Sequence, residues 1–376
     1  IESGGNYNTV VGDEAGTALT TGDGNVAVGF EALKTEDANG ESTAIGYQAL
    51  KTQNAGISGL NVAVGYKAGA AVTTGTINTL IGALAGDALT TGNSNVAVGH
   101  TALSADTLGD RNVAIGNNAL AQQNFTSSTD SYNVAIGYVA GGSVTTGVQN
   151  TLIGGLAGDA ITTGNSNAAL GYGALGSNTT ADANTAVGYF SLVSNTTGAE
   201  NTAVGFEALR NNTTGTPNNA FGRQALRSNS TGNANCAFGE QALQSNTTAS
   251  NNTAFGHQAL TANTTGQYNT AVGTNAGDAI TTGNSNTMLG FNTGGATTTA
   301  GQNVAVGQSA LTTNTTGSFN TAIGAEALTA NTTAANNTAV GYLALTANTT
   351  GDTNTAIGKD SMKSNTTGTN NQAFGT

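Results

Sequence analysis

The phrase Asn-Thr-Ala-Val-Gly, or a close variant, begins at residues 8, 25, 42, 61, 78, 95, 112, 133, 150 and 167. It begins again at 184, 201, 218, 235, 252, 269, 286, 303, 320, 337, 354 and 371. Nineteen of the 21 intervals are 17 residues, and the other two are 19 and 21. Helical repeats need about 33 residues or more, so a period this short excludes them. The units lack a 3.6-residue apolar stripe and hold Gly at one invariant place, which an amphipathic helix tolerates poorly. Short β-branched stretches punctuated by Gly, Asn and Thr-Thr-Gly read instead as strand and turn. Each coil has a contour of about 56 Å, room for two short strands and two turns, and 22 stacked coils would reach about 105 Å. The expected fold is all-β, a parallel β-solenoid (β-roll) of about 22 coils.

The whole of 1–376 is expected to be a single uncapped solenoid, because residues 1–7 match positions 11–17 of a unit and Thr376 is position 6 of the last. Residues 1–166 form a less regular half, with longer units at 42–60 and 112–132, and 167–376 a regular half rich in Asn-Thr-Thr.

The columns of the repeat carry the physics. Position 1 is Asn in 21 of 22 units, position 3 is Ala in 18, and position 5 is Gly in all 22. Position 4 is always Val, Ile, Leu or Phe, and position 6 accepts Tyr47, Arg223, Glu240 and Lys359 alike, so it must face water. Fourteen units place a large apolar residue at position 9 (Leu33 to Met362). The other seven have Gly there and usually move the bulk to position 12, as with Leu19, Val72, Leu89, Val144, Ile161 and Ile280. One large residue per coil is what a narrow, close-packed core requires. Alternation along the strand puts positions 2 and 4 on one side and 3 and 5 on the other. Position 4 is expected to fill the core. The Ala/Gly stripe at 3 and 5 would then lie outside, where it suits close packing against another copy. The alternative is that position 3 packs against the coil's own return strand.

Units such as 184–200 and 337–353 resemble repeats of phage tail fibres and of bacterial surface proteins with tail-fibre-like ends. The phrase NVAVG at 25, 61, 95 and 303, or NVAIG at 112 and 133, is also similar to the head repeats of YadA-like trimeric adhesins. That resemblance implies a left-handed β-roll, assembly as trimers and a fibre or adhesin role. The adhesin period is shorter than 17.

Composition excludes several other classes. Nine basic against 21 acidic residues give a net charge of −12, so nucleic acid and anionic membranes are not expected partners. No apolar run is long enough to span a membrane. One cysteine excludes an internal disulfide framework and any multi-cysteine zinc site. His100 and His257 both occupy position 6 in distant units, and Asp87, Asp159 and Asp278 recur singly in Gly-Asp-Ala turns, so neither set converges on a site. Cys236 replaces Thr or Val at position 2 and is expected to be a buried structural thiol. No enzyme activity, cofactor or metal is expected.

Three surface features remain. The position-1 asparagines should form a stacked amide ladder at the turn into the strand. Asn178, Asn195, Asn212, Asn229, Asn246, Asn263, Asn314, Asn331, Asn348 and Asn365 each begin an Asn-x-Ser/Thr triplet in register, which makes them turn formers and candidate glycan acceptors. The paired threonines of the same turn suggest an ice-binding alternative. The longer unit at 112–132 offers a loop, with Asn124, Phe125 and Tyr132 as candidate ligand contacts.

The functional expectation is a non-enzymatic extracellular, cell-surface or virion fibre, homo-oligomeric with itself as partner, and able to meet a cell-surface receptor or glycan. Two alternatives are an end-to-end polymerising surface filament, glycosylated at the Asn-Thr-Thr turns, and an ice-binding solenoid.

Overall fold

The computed structural model describes residues 5–376. The reading of residues 1–7 as the end of a preceding unit therefore lies, for residues 1–4, outside the described residues. The fold is a parallel β-solenoid, and among the described residues there is no helix. Each of the 22 repeats contributes one strand at positions 2–4, from Thr9–Val11 to Gln372–Phe374. The chain forms two compact units, Ile1–Ala186 and Val187–Thr376, with the division inside the strand Thr185–Val187. Within each unit successive strands pair parallel and in register. In the first unit Thr151, Leu152 and Ile153 lie beside Ala168, Ala169 and Leu170. In the second, Thr202, Ala203 and Val204 lie beside Asn219, Ala220 and Phe221.

Apart from the coils starting at 95 and 112, which each add a two-residue strand, a coil contains one strand, not two. The rest of its path is bent by four residues with positive φ, at positions 5, 7, 9 and 17. In one stretch of the second unit these are Gly205 (+135°), Glu207 (+54°), Leu209 (+48°) and, just before the coil, Glu200 (+59°). Left-handed residues cannot continue an extended strand. The return segment nevertheless stays tied to its neighbour, with the Leu209 N–H donating to Ala225 O at 3.0 Å and Thr213 N–H to Ser230 O at 2.9 Å.

The strand faces the opposite way to the sequence expectation. Position 3 points inward: Ala27, Ala97, Ala203 and Ala339 are wholly buried. Position 4 points outward, as with Phe255 (56% exposed) and Ile323 (40%). The physical reason is core width. Position 8 alanines and position 9 leucines (Ala208 and Leu209, for example) already fill the interior, which leaves room at position 3 for a methyl group only. The glycine at position 5 is not part of a packing stripe either. A Cβ at Gly205 would sit 2.5 Å from Gly222 O of the next coil, so the backbones approach too closely for any side chain.

The two coil types now have a packing explanation. In the pair starting at 61 and 78, the space vacated by Gly69 and Gly86 is taken by Leu80, from position 3 of the second coil: added Cβ atoms would lie 2.6 and 2.8 Å from its methyl carbons. Leu152 fills the same space beside Gly141 and Gly158, and Met288 beside Gly294. The exchange therefore involves positions 3, 9 and 12 together.

Two amide ladders line the interior. At position 1, Asn218 N–H donates to Asn201 Oδ1 at 2.9 Å, and Asn218 Nδ2 donates to Gly232 O at 2.9 Å. At position 12, Asn212 Nδ2 donates to Asn195 Oδ1 at 2.9 Å and to Gly215 O at 3.0 Å. The first ladder was expected, but at the surface, and its asparagines are instead buried. The second lies on residues read as surface turn formers, and its amides hold the carbonyls of the tight turn that follows.

Candidate functional site

With positions 1 and 3 turned inward, positions 17, 2, 4 and 6 share the outer face of the strand and its flanks. Among the described residues, 26 of the 27 exposed large hydrophobic side chains fall in these four columns, the exception being Ile57. Positions 2 and 4 hold no ionisable side chain other than Cys236 in any of the 22 coils. Positions 6 and 17 accept charges, including Asp13, Arg223, Glu240, Lys359, Glu41, Arg111 and Glu200. Each unit thus carries a neutral centre, apolar at position 4 and mostly Thr or Val at position 2, with a mixed aromatic and polar rim, the layout of a protein–protein interface.

In-register stacking brings equivalent side chains of adjacent coils into contact. At position 6, the ring centroids of Phe30 and Tyr47 are 5.3 Å apart, those of Tyr47 and Tyr66 5.4 Å, and those of Tyr189 and Phe206 5.4 Å. At position 4, Phe221, Phe238 and Phe255 stack at 4.5 and 5.4 Å. The parallel ladder aligns these rings, and each stack shields only part of its apolar area.

Away from this face, charges are paired locally. Lys34 and Lys51 both contact Glu31, at 2.6 Å each, and Lys34 also pairs with Glu14. These ammonium partners hold the Glu31 carboxyl down at about 2, Lys34 contributing most, and the two carboxylates raise the Lys34 ammonium well above its usual range. Arg227 Nε lies 2.8 Å from Glu207, in the same columns of the second unit.

The Asn-Thr-Thr asparagines do not present acceptors in the folded chain, which corrects that expectation. Asn178, Asn195, Asn212, Asn229, Asn246, Asn263, Asn314, Asn331 and Asn348 are wholly buried and Asn365 half-buried. Their Nδ2 atoms, where a glycan would attach, are donors within the ladder; that of Asn263 donates to Asn246 Oδ1 and Gly266 O. The threonine hydroxyls that follow are also engaged, Thr213 Oγ1 donating to Ser230 O at 3.0 Å and Thr264 Oγ1 to Thr281 O at 3.0 Å.

The loop of the long coil is only partly a contact surface. Phe125 is buried, while Asn124 and Tyr132 are exposed. Asn124 Oδ1 accepts from Thr107 Oγ1 at 2.8 Å, and the Arg111 guanidinium lies 5.7 Å from the Tyr132 ring centroid. Arg111 also pairs with Asp130, and Thr129–Asp130 forms a short parallel pair with Gly109–Asp110. The insertion is thereby fastened to the coil before it.

His100 and His257 lie in different units. His100 has Thr101 Oγ1 3.4 Å and Asn117 Nδ2 3.5 Å from its Nδ1, and neither contact makes a catalytic pair. Asp87, Asp159 and Asp278 are half-buried in separate coils, and burial pushes each carboxyl up. Cys236 is not buried as expected: position 2 faces out, and the thiol is half-exposed, its ionisation held up by partial burial. Among the described residues no group of three or more His, Cys, Asp or Glu could hold a metal ion, and no helix is long and apolar enough to cross a membrane.

Sequence reasoning missed two buried acid–amide pairs at position 12. Gln53 Nε2 donates to Glu36 Oε2 at 2.8 Å, and Gln123 Nε2 donates to Asp106 Oδ2 at 2.7 Å. Both pairs sit just before a Gly-9 pair, where the asparagine ladder has no partner. The signal was present: an acid in one coil and Gln in the next, at the column elsewhere held by Asn.

Compared with known proteins, the chain matches no protein-family profile and no curated protein.

Proposed function

We propose that this chain is a structural, non-enzymatic fibre element that associates laterally with further copies of itself, outside the cell or on a virion. The observation that carries the reading is the outward face of positions 2 and 4, free of charge in every coil, with a large apolar side chain throughout position 4 and Thr or Val through most of position 2. Soluble monomers rarely maintain contiguous apolar patches beyond a few hundred Å2. About ten coils at ~4.8 Å, spanning the columns from 17 to 6, give each unit on the order of 900 Å2, against the ~800 Å2 per partner of a stable interface. A solenoid with buried amide ladders is also suited to span distance, because the parallel strand pairing and the position-1 ladder recur from coil to coil. Imaging of purified chain by electron microscopy is the test. Solenoids lying side by side with strand faces together are expected, and fields of isolated single solenoids at micromolar concentration would contradict the reading.

A second reading, ordering of ice-like water, draws on the outward threonines Thr253, Thr270 and Thr287 in consecutive coils. Their hydroxyls lie beside Phe255, Val272 and Leu289, which favours protein contact over a water lattice. Thermal hysteresis separates the two, and a flat response is expected.

A further inference from the structure

Positions 7 and 10 lie off the strand face, and their side chains meet within a coil. Lys34 Nζ is 2.6 Å from Glu31 Oε1, three residues earlier, and a Cβ at Gly295 would sit 2.6 Å from Asn292 Oδ1. Several acids of these columns have a cation at hand: Glu14 and Glu31 have Lys34, Glu207 has Arg210 and Arg227, and Asp360 has Lys363. Asp278 has none among the described residues. In its own coil and the two beside it, positions 7 and 10 otherwise hold Gln258, Thr261, Asn275, Asn292 and Gly295, with no charge among them. Burial pushes the Asp278 carboxyl up, against the pull of the Asp278 and Ala279 N–H groups. Its Oδ1 is buried with no hydrogen-bond partner among the described residues, and so is Oδ1 of Asn275, the position-7 residue of the same coil. Buried oxygens without a donor are rare in folded chains, and two such acceptors adjoin here. Gly295 follows Asp278 in column 10 and places no side chain over it, while Asn292 directs a third oxygen at that glycine.

We propose that Oδ1 of Asn275, Asp278 and Asn292 bind one calcium ion beside Gly295, with water completing its shell. The donor set selects the ion. All three atoms are oxygens, which suit a hard cation rather than zinc or copper. Calcium takes carboxylate and amide oxygens together with water in a flexible shell, whereas magnesium demands near-octahedral geometry. A single carboxylate places the affinity at the weak end, with a Kd of about 10−4–10−3 M. The ion supplies the positive charge that lysine or arginine supplies to Glu31 and Glu207 in the same columns. Asp159 is a control built into the chain. It stands in the same Gly-Asp-Ala-Ile phrase, but its own and adjacent coils place Val139, Leu156 and Gly173 at position 7, so no amide oxygen accompanies it.

The inference does not depend on lateral assembly, because the strand face and its rim take no part in it. The test is isothermal titration of the chain with calcium chloride at physiological sodium chloride, paired with thermal unfolding in calcium and in EDTA. One calcium per chain is expected to bind, and the unfolding midpoint should be higher in calcium than in EDTA. Asp278→Asn should weaken binding about tenfold or more and make the midpoint indifferent to calcium. The same change removes a buried carboxylate that has no counter-charge, so in EDTA the variant should unfold at or above the parent midpoint. That second reading separates loss of the site from loss of the fold. Asp159→Asn should bind calcium as the parent does. A chain indifferent to calcium would overturn the proposal and assign the Asn275 amide the opposite rotation, with Nδ2 toward Asp278. Binding that survives Asp278→Asn, or that Asp159→Asn abolishes equally, would also overturn it.

Discussion

At the scale of single residues, the repeat holds positions that look interchangeable and are not. The glycine of position 5 combines φ near +135° with a neighbouring backbone where a Cβ would fall. Gly205→Ala should therefore cost about 3 kcal/mol or more, since left-handed strain and a backbone clash act together. Thermal unfolding checks this, and an unchanged midpoint would mean the coils can separate locally. Asp106 supplies a second residue-scale prediction. Burial pushes its carboxyl up despite hydrogen bonds from Gln123 and the Gly109 N–H. The folded state then holds a proton more readily than the unfolded one, so stability falls as pH rises from about 4 through the raised value. Asp106→Asn should be more stable than the parent at pH 7, with the advantage shrinking on acidification. A pH-independent difference would mean the carboxylate is not desolvated. Glu31 runs the other way: its lowered value means its contribution is present above about 4.5 and is lost as pH falls toward 2. The invariant glycine was plain in the sequence, but its reason was not, because a column of Gly reads the same whether it is a packing stripe or a site of backbone approach.

At the scale of the coil, the period and the parallel pairing were legible, because each recurs with the same spacing, although the coils starting at 78 and 150 each bury two large residues rather than one (Leu80 with Leu89, Leu152 with Ile161). The direction of the strand was not. A three-residue strand offers a single inward position, and assigning it requires knowing how much room the interior has. Val at position 4 is larger than Ala at position 3, so size alone favours the wrong phase; Ala208 and Leu209 on the opposite wall decide it. The same limit hid the second amide ladder, since Asn-Thr-Thr is as good a turn signal as a buried one. Leu209→Ala should cost about 2–5 kcal/mol as a cavity in a narrow core. Asn212→Ala should cost about 1–3 kcal/mol by leaving buried amide and carbonyl groups short of partners. Position 9 and position 12 also exchange bulk. Leu209→Gly combined with Asn212→Leu should therefore be less destabilising than the sum of the two single changes, measured as a double-mutant cycle in denaturant. Strict additivity would show that the two coil types are not alternative packings of one core.

At the scale of the whole molecule, an uncharged outer face with large apolar side chains at position 4 and an interior tied by amide ladders belong together. The ladders make each coil self-sufficient, so the exposed Val, Ile and Phe columns are not needed to hold the coil and are free to serve association. Correcting the strand phase moves the expected self-contact from the Ala/Gly columns, where the Ala is buried and the Gly lies against the next coil's backbone, to positions 2 and 4. The most direct measurement is sedimentation of the chain beside the double variant Ile323→Lys, Ile357→Lys, both residues lying outward at position 4. An oligomer is expected for the parent chain. The variant should be a monomer or a markedly weaker oligomer, with unchanged β-sheet circular dichroism and thermal midpoint. A parent chain that sediments as a monomer at tens of micromolar, or a variant that assembles as the parent does, would contradict the assignment of this face to assembly.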